Sequence, residues 1–103
     1  MLIRARKPTM QLYAIRRRSA FADVPDLEQA AARSAEVGNE EMPDRVRWIR
    51  SYVVQEDDGR IGTVCIYQAI DVPSIREHAQ RANLAADEIN PVLNTVIVRP
   101  DPS

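Results

Sequence analysis

Residues 48–69 read WIRSYVVQEDDGRIGTVCIYQA, and the way they pair decides the fold. Side chains alternate in character over 46–54 and again over 62–69, the period of two that a strand requires. Asp58-Gly59 between them is a strong hairpin signal. Taking Asp58 and Gly59 as a two-residue loop sets Tyr52 opposite Cys65, Arg50 opposite Tyr67 and Trp48 opposite Ala69. The pleat then sorts the hairpin into two faces. Ile49, Ser51, Val53, Gly62, Val64 and Ile66 make a small aliphatic face that suits a place under helices. Val46, Trp48, Arg50, Tyr52, Thr63, Cys65 and Tyr67 make the opposite, open face, which mixes aromatic area with hydrogen-bonding tips as a binding surface would.

Upstream, residues 10–17 (MQLYAIRR) alternate as a first strand, with Leu12 and Ala14 on one side and Tyr13 and Ile15 on the other. Asp23-Val24-Pro25-Asp26 then opens a helix: Asp23 is a good N-cap, Pro25 fits the first turn, and Asp26 suits the positive end of the helix dipole. Leu27, Ala30, Ala31 and Ser34 form its inner stripe, and Gly38 is placed to end it in a left-handed cap. Downstream of the hairpin the same start recurs. DVPDLEQAAARSA (23–35) aligns without a gap on DVPSIREHAQRAN (71–83), so Ile75, His78, Ala79 and Ala82 form the second inner stripe. Asn83 can cap that helix. Residues 91–98 (PVLNTVIV) read as a last strand, and Pro100 and Pro102 stop further pairing.

The order strand, helix, strand, strand, helix, strand is the split βαβ, ferredoxin-like α+β arrangement. A four-stranded antiparallel sheet with two helices on one face is expected. The other face, with Trp48, Tyr52 and Tyr67, is expected to be uncovered in a monomer. A symmetric dimer resembling an α/β barrel, with a pocket between the facing sheets, would cover it.

At 103 residues the chain suits one domain, residues 10–103, behind a disordered lead-in over 1–9. A net charge of −1 gives no basic field for nucleic acid or acidic membranes. The run Arg16-Arg17-Arg18 reads as a solvated strand end. One cysteine excludes an intramolecular disulfide, and no segment has the apolar length of a secretory h-region or a membrane span. A cytoplasmic protein is expected.

The segments WIRSYV, EDDGRIGTVCIYQA, DVPSIREHAQRANL and TVIVRPDP resemble a family of small bacterial proteins known as nickel-binding proteins or as a domain of unknown function. The resemblance covers residues 10–102. It implies a ferredoxin-like fold, a homodimer and nickel as a bound ion, with His78 as the candidate metal ligand.

His78 is the only histidine. Imidazole can ligate nickel or act as a general base, and a hydrogen-bonded structural histidine is the plainer alternative. Cys65 is a soft ligand, a nucleophile or simply a small buried hydrophobe. The assigned faces put Cys65 and His78 on opposite sides of the sheet. Trp48, Arg50, Tyr52, Cys65 and Tyr67 are the candidate ligand-binding set, with Arg50 gripping an anionic group, unless they form a dimer core. Glu56-Asp57-Asp58 is explained by turn geometry, and Glu40, Glu41 and Asp44 by solvation, ahead of any metal role. The leading expectation is a metal-ion or small-ligand binding protein. The alternative is a cofactorless monooxygenase, isomerase or cyclase working in the dimer cavity, and a third option is a scaffold that binds another protein.

Overall fold

A computed structural model describes residues 9–102. The lead-in expected over 1–9 lies, apart from Thr9, outside the described residues. The elements are β1 (Gln11–Phe21), α1 (Val24–Glu36), β2 (Val46–Gln55), β3 (Ile61–Ala69), α2 (Val72–Arg81) and β4 (Glu88–Pro91). The strands form one antiparallel sheet in the order β2-β3-β1-β4, the ferredoxin-like topology. Among the described residues no helix is long and apolar enough to cross a membrane.

Both helix starts form as read. Asp23 and Asp71 are N-caps whose carboxylates accept from Asp26 N at 2.9 Å and Ser74 N at 2.8 Å. Asn83 takes the left-handed conformation, φ 56°, just beyond α2. Gly38 does not end α1. The chain continues through a wide π-helical turn, Val37–Glu41, closed by Met42 N donating to Val37 O at 2.9 Å. That turn sends both Val37 and Met42 into the core, which a stop at Gly38 would not do.

The hairpin differs from the expected register by one residue. Glu56 N donates to Arg60 O at 3.0 Å, so the loop is Asp57-Asp58-Gly59, with Gly59 at φ 83° as its left-handed residue. Tyr52 therefore faces Val64, Ser51 faces Cys65 and Arg50 faces Ile66. A second irregularity at Ile49 adds a residue to β2, after which Trp48 faces Tyr67. Each shift moves side chains to the opposite face. The helices also cover the side that reads as open. Tyr13, Ile15 and Arg17 of β1 and Thr63, Cys65, Tyr67 and Ala69 of β3 are all buried there. Gly62 alternates to the far side, where a Cβ would come within 2.7 Å of Arg17 O, so the close approach of β1 and β3 requires glycine.

The last strand also differs. Only Glu88–Pro91 pairs with β1, in the register Arg16↔Glu88 to Tyr13↔Pro91, and Val92 N adds one bond to Leu12 O. Continued, that register would run off the start of β1 within two residues. Leu93, Val96, Ile97 and Val98 are accordingly exposed rather than paired.

Candidate functional site

The candidate residues separate onto the two sides of the sheet. Trp48, Cys65 and Tyr67 lie on the helix side together with His78, whereas Arg50 and Tyr52 lie on the open side. The expected single face of five residues is therefore overturned, and so is the separation of Cys65 from His78. On the open side, Arg50 Nη1 and the Tyr52 hydroxyl both donate to Asp101 Oδ2, at 3.1 and 2.7 Å. This fastens the C-terminal segment over the sheet.

On the helix side a chamber of about 260 Å³ lies between α1 and the sheet. Leu27, Ala30 and Ala31 of α1 form its roof, and Trp48, Cys65 and Tyr67 line its floor. Short alanine side chains at helical spacing leave the space open. The floor is rigid: the Trp48 and Tyr67 rings stack at 6.1 Å with an 11° interplanar angle, and Trp48 Nε1 donates to Ser51 Oγ at 2.8 Å. Ser51 Oγ in turn donates to Cys65 Sγ at 2.9 Å, which commits the thiol sulfur as an acceptor.

The polar group that dominates this chamber is Arg17. It is 2% exposed, and its Nε donates to Ala85 O at 2.7 Å, but Nη1 and Nη2 are buried without a partner. Among the described residues no carboxylate pairs with it, whereas its neighbours Arg16 and Arg18 bind Glu56 and Glu88. An uncompensated buried charge costs several kcal/mol, so this is an uncommon arrangement. Thr63 Oγ1, in the same wall, is likewise buried without a partner. The solvated reading of the arginine run thus fails at its middle residue. The signal was in the alternation: Arg17 continues the inward parity of Tyr13 and Ile15.

His78, on α2, packs against the floor residue Tyr67 without lining the chamber. Its ring meets Tyr67 edge-on at 5.2 Å, and its Nε2 lies 3.1 Å from Ser34 O. A carbonyl can only accept, so Nε2 carries the hydrogen. The Ser34 Oγ contact at 3.4 Å then cannot activate the hydroxyl as a nucleophile, and Ser34 Oγ instead shares a 2.9 Å hydrogen bond with the Tyr67 hydroxyl. Burial holds the His78 pKa below its ordinary value and the charge of Arg17 adds to this, while the bond to Ser34 opposes it. Burial pushes the Tyr67 phenol up, and Ser34 and Arg17 limit the rise. Both rings are held neutral.

Nickel fits this interior poorly. The free His78 Nδ1 has the lone pair a metal needs, but His78 is 0% exposed. Among the described residues no three of His, Cys, Asp and Glu gather to hold an ion. One glutamate of each acidic loop is engaged elsewhere. Glu56 bonds Arg16 and Ser19 N, which lowers its pKa, and Glu41 bonds Arg33 and Arg81 with the same effect.

A ferredoxin-like sheet with an apolar chamber under its first helix defines the class: a small α+β protein with a partly open, aromatic-floored cavity. Residues 13–92 match the family described as nickel responsive protein SCO4226-like, and the chain belongs to that family. No curated protein and no solved structure matches the chain.

Proposed function

We propose that this chain is a small-ligand binding protein whose site is the chamber between α1 and the sheet. The observation that supports this is the chamber itself, about 260 Å³ walled by Leu27, Ala30, Ala31, Trp48 and Tyr67. Interiors normally close such spaces, and a preformed apolar cavity with a few polar groups is the usual form of a ligand site. Trp48 is the only tryptophan and lies in the floor, so its emission reports occupancy. Titration with small acids, amides and alcohols should give a saturable emission change with at least one class. Ala31→Leu, which fills the roof, should abolish it. Silence from every class would overturn the reading.

Family membership supports nickel as a second reading, with His78 as the nominated donor. It requires the interior around His78 to open. Under it, untagged protein loaded with nickel would hold near-integer metal that His78→Ala loses. Protein that refuses nickel would end it.

We also propose a homodimer. The open face carries exposed Ile49 and Tyr52, and beside them the segment with Leu93, Val96, Ile97 and Val98 stands apolar and unpaired. A second copy placed face to face would bury both at once. Sedimentation should show a dimer that Val96→Ser with Val98→Ser weakens, while a monomer at all concentrations would refute it.

A further inference from the structure

We propose that the ligand is a small organic monocarboxylate with an apolar body, its carboxylate held by Arg17. This rests on the reading of the chamber as the binding site and names the chemistry that site selects. Arg17 is 2% exposed in the chamber wall, with Nε fixed on Ala85 O at 2.7 Å and both terminal nitrogens unpartnered. A guanidinium held by Nε presents Nη1 and Nη2 as a fork, the geometry that matches the two oxygens of a carboxylate. Thr63 Oγ1, buried and unpartnered in the same wall, supplies a further donor. Apart from the exposed Glu28 on the rim, the rest of the lining is apolar or already satisfied: Trp48 is bound to Ser51, and the Tyr67 hydroxyl to Ser34. The chamber therefore has one unmet positive charge at one wall, a carboxylate only on its exposed rim and hydrocarbon over most of the rest. That pairing excludes cations and disfavours neutral polar molecules, which would leave the charge unpaired.

Size narrows the class. An apolar cavity of about 150 Å³ holds benzene. A chamber of about 260 Å³ then suits roughly ten non-hydrogen atoms, an eight-carbon chain acid or a phenylalkanoic acid. Glu28 is the carboxylate on the rim, exposed and in no ion pair with Arg17. It lies at the entrance, where its charge slows an anion without occupying the site.

The test compares octanoate with octanamide, matched in size and differing in charge, on the full chain by calorimetry and Trp48 emission. Octanoate should bind at least tenfold more tightly, and Arg17→Gln should bring its affinity down to that of the amide. Should Arg17→Gln fail to fold, the wild-type comparison still decides. Equal or tighter binding of octanamide overturns the carboxylate and leaves the chamber standing as a site. Failure of both probes to bind wild-type protein overturns the carboxylate of this size, and the alcohols and smaller compounds then decide the chamber separately. Octanoate binding that survives Ala31→Leu unchanged places the acid elsewhere and also overturns the proposal.

Discussion

Helices α1 and α2 begin on the same Asp-Val-Pro pattern, and each caps its first turn with an aspartate at nearly the same distance, 2.9 and 2.8 Å. Their inner stripes occupy equivalent places in the two halves of the fold. Those stripes nevertheless pack differently. On α2, Ile75 and His78 are 0% exposed, Ala79 2% and Ala82 4%. On α1, only Ser34 reaches that level, and Leu27, Ala30 and Ala31 are half-buried over the chamber. Burial of a complete stripe holds α2 down as structure. The α1 stripe meets the stacked rings of Trp48 and Tyr67 across a gap. One half of the repeat closes the core, and the other leaves a chamber open beneath it.

The largest expected break in this comparison comes from the first stripe positions. Ile75→Ala should cost about 2–5 kcal/mol, the range for truncating a fully buried aliphatic side chain, read from the urea midpoint. Leu27→Ala, at the equivalent place beside existing space, should cost well under half of that. Equal costs would mean that α1 is packed as tightly as α2. The reverse change sharpens the same contrast. Ala79→Leu overpacks a filled site and should cost about 1–3 kcal/mol. Ala31→Leu, its counterpart, grows into the chamber and should be neutral or raise the melting temperature, since filling a cavity commonly adds about 0.5–2 kcal/mol.

Much of this is legible in the chain, and the misses have separate physical causes. The element order, both N-caps and both inner stripes follow from local chemistry that each segment carries by itself. The sidedness of the hairpin does not. A three-residue loop in place of a two-residue one puts Arg50 and Tyr52 on the face opposite Cys65 and Tyr67, and one extra residue at Ile49 returns Trp48 to theirs, because the side-chain period is two. Trp48, Cys65 and Tyr67 share one face in the sequence pattern and in the fold, but the helices pack on that face, a choice the strand pattern alone does not make. Arg17 was missed because a run of three arginines reads as a surface. Its burial becomes visible only when the parity of Tyr13 and Ile15 is carried two residues further.

Of the two inner stripes only that of α2 titrates, because His78 stands where α1 has Ala30. Its pKa in the folded chain lies below the ordinary 6.5. Near and below that pH the unfolded chain binds a proton that the folded chain resists. The contribution of neutral His78 is therefore complete above about pH 6.5 and is lost as pH falls from there towards the lower folded pKa. Urea unfolding of His78→Gln should lose this part of the acid slope. A slope identical to wild type would show that His78 titrates in the fold as it does in water.

The smallest effect tests the feature the helices share. Asp23→Ala and Asp71→Ala each remove a side-chain acceptor from the first turn, and each should cost about 1 kcal/mol. The two values should agree within a few tenths, because both carboxylates accept from the backbone three residues on at comparable distances. If the helices differ only in what lies beneath them, the caps are interchangeable and Ser or Asn at either position should restore most of the loss. A markedly larger cost at Asp23 would mean that the cap, and not packing, holds α1 over the open chamber. The roof would then be a hinged element, and Asp23→Ala would speed ligand exchange at Trp48 as well as lower stability.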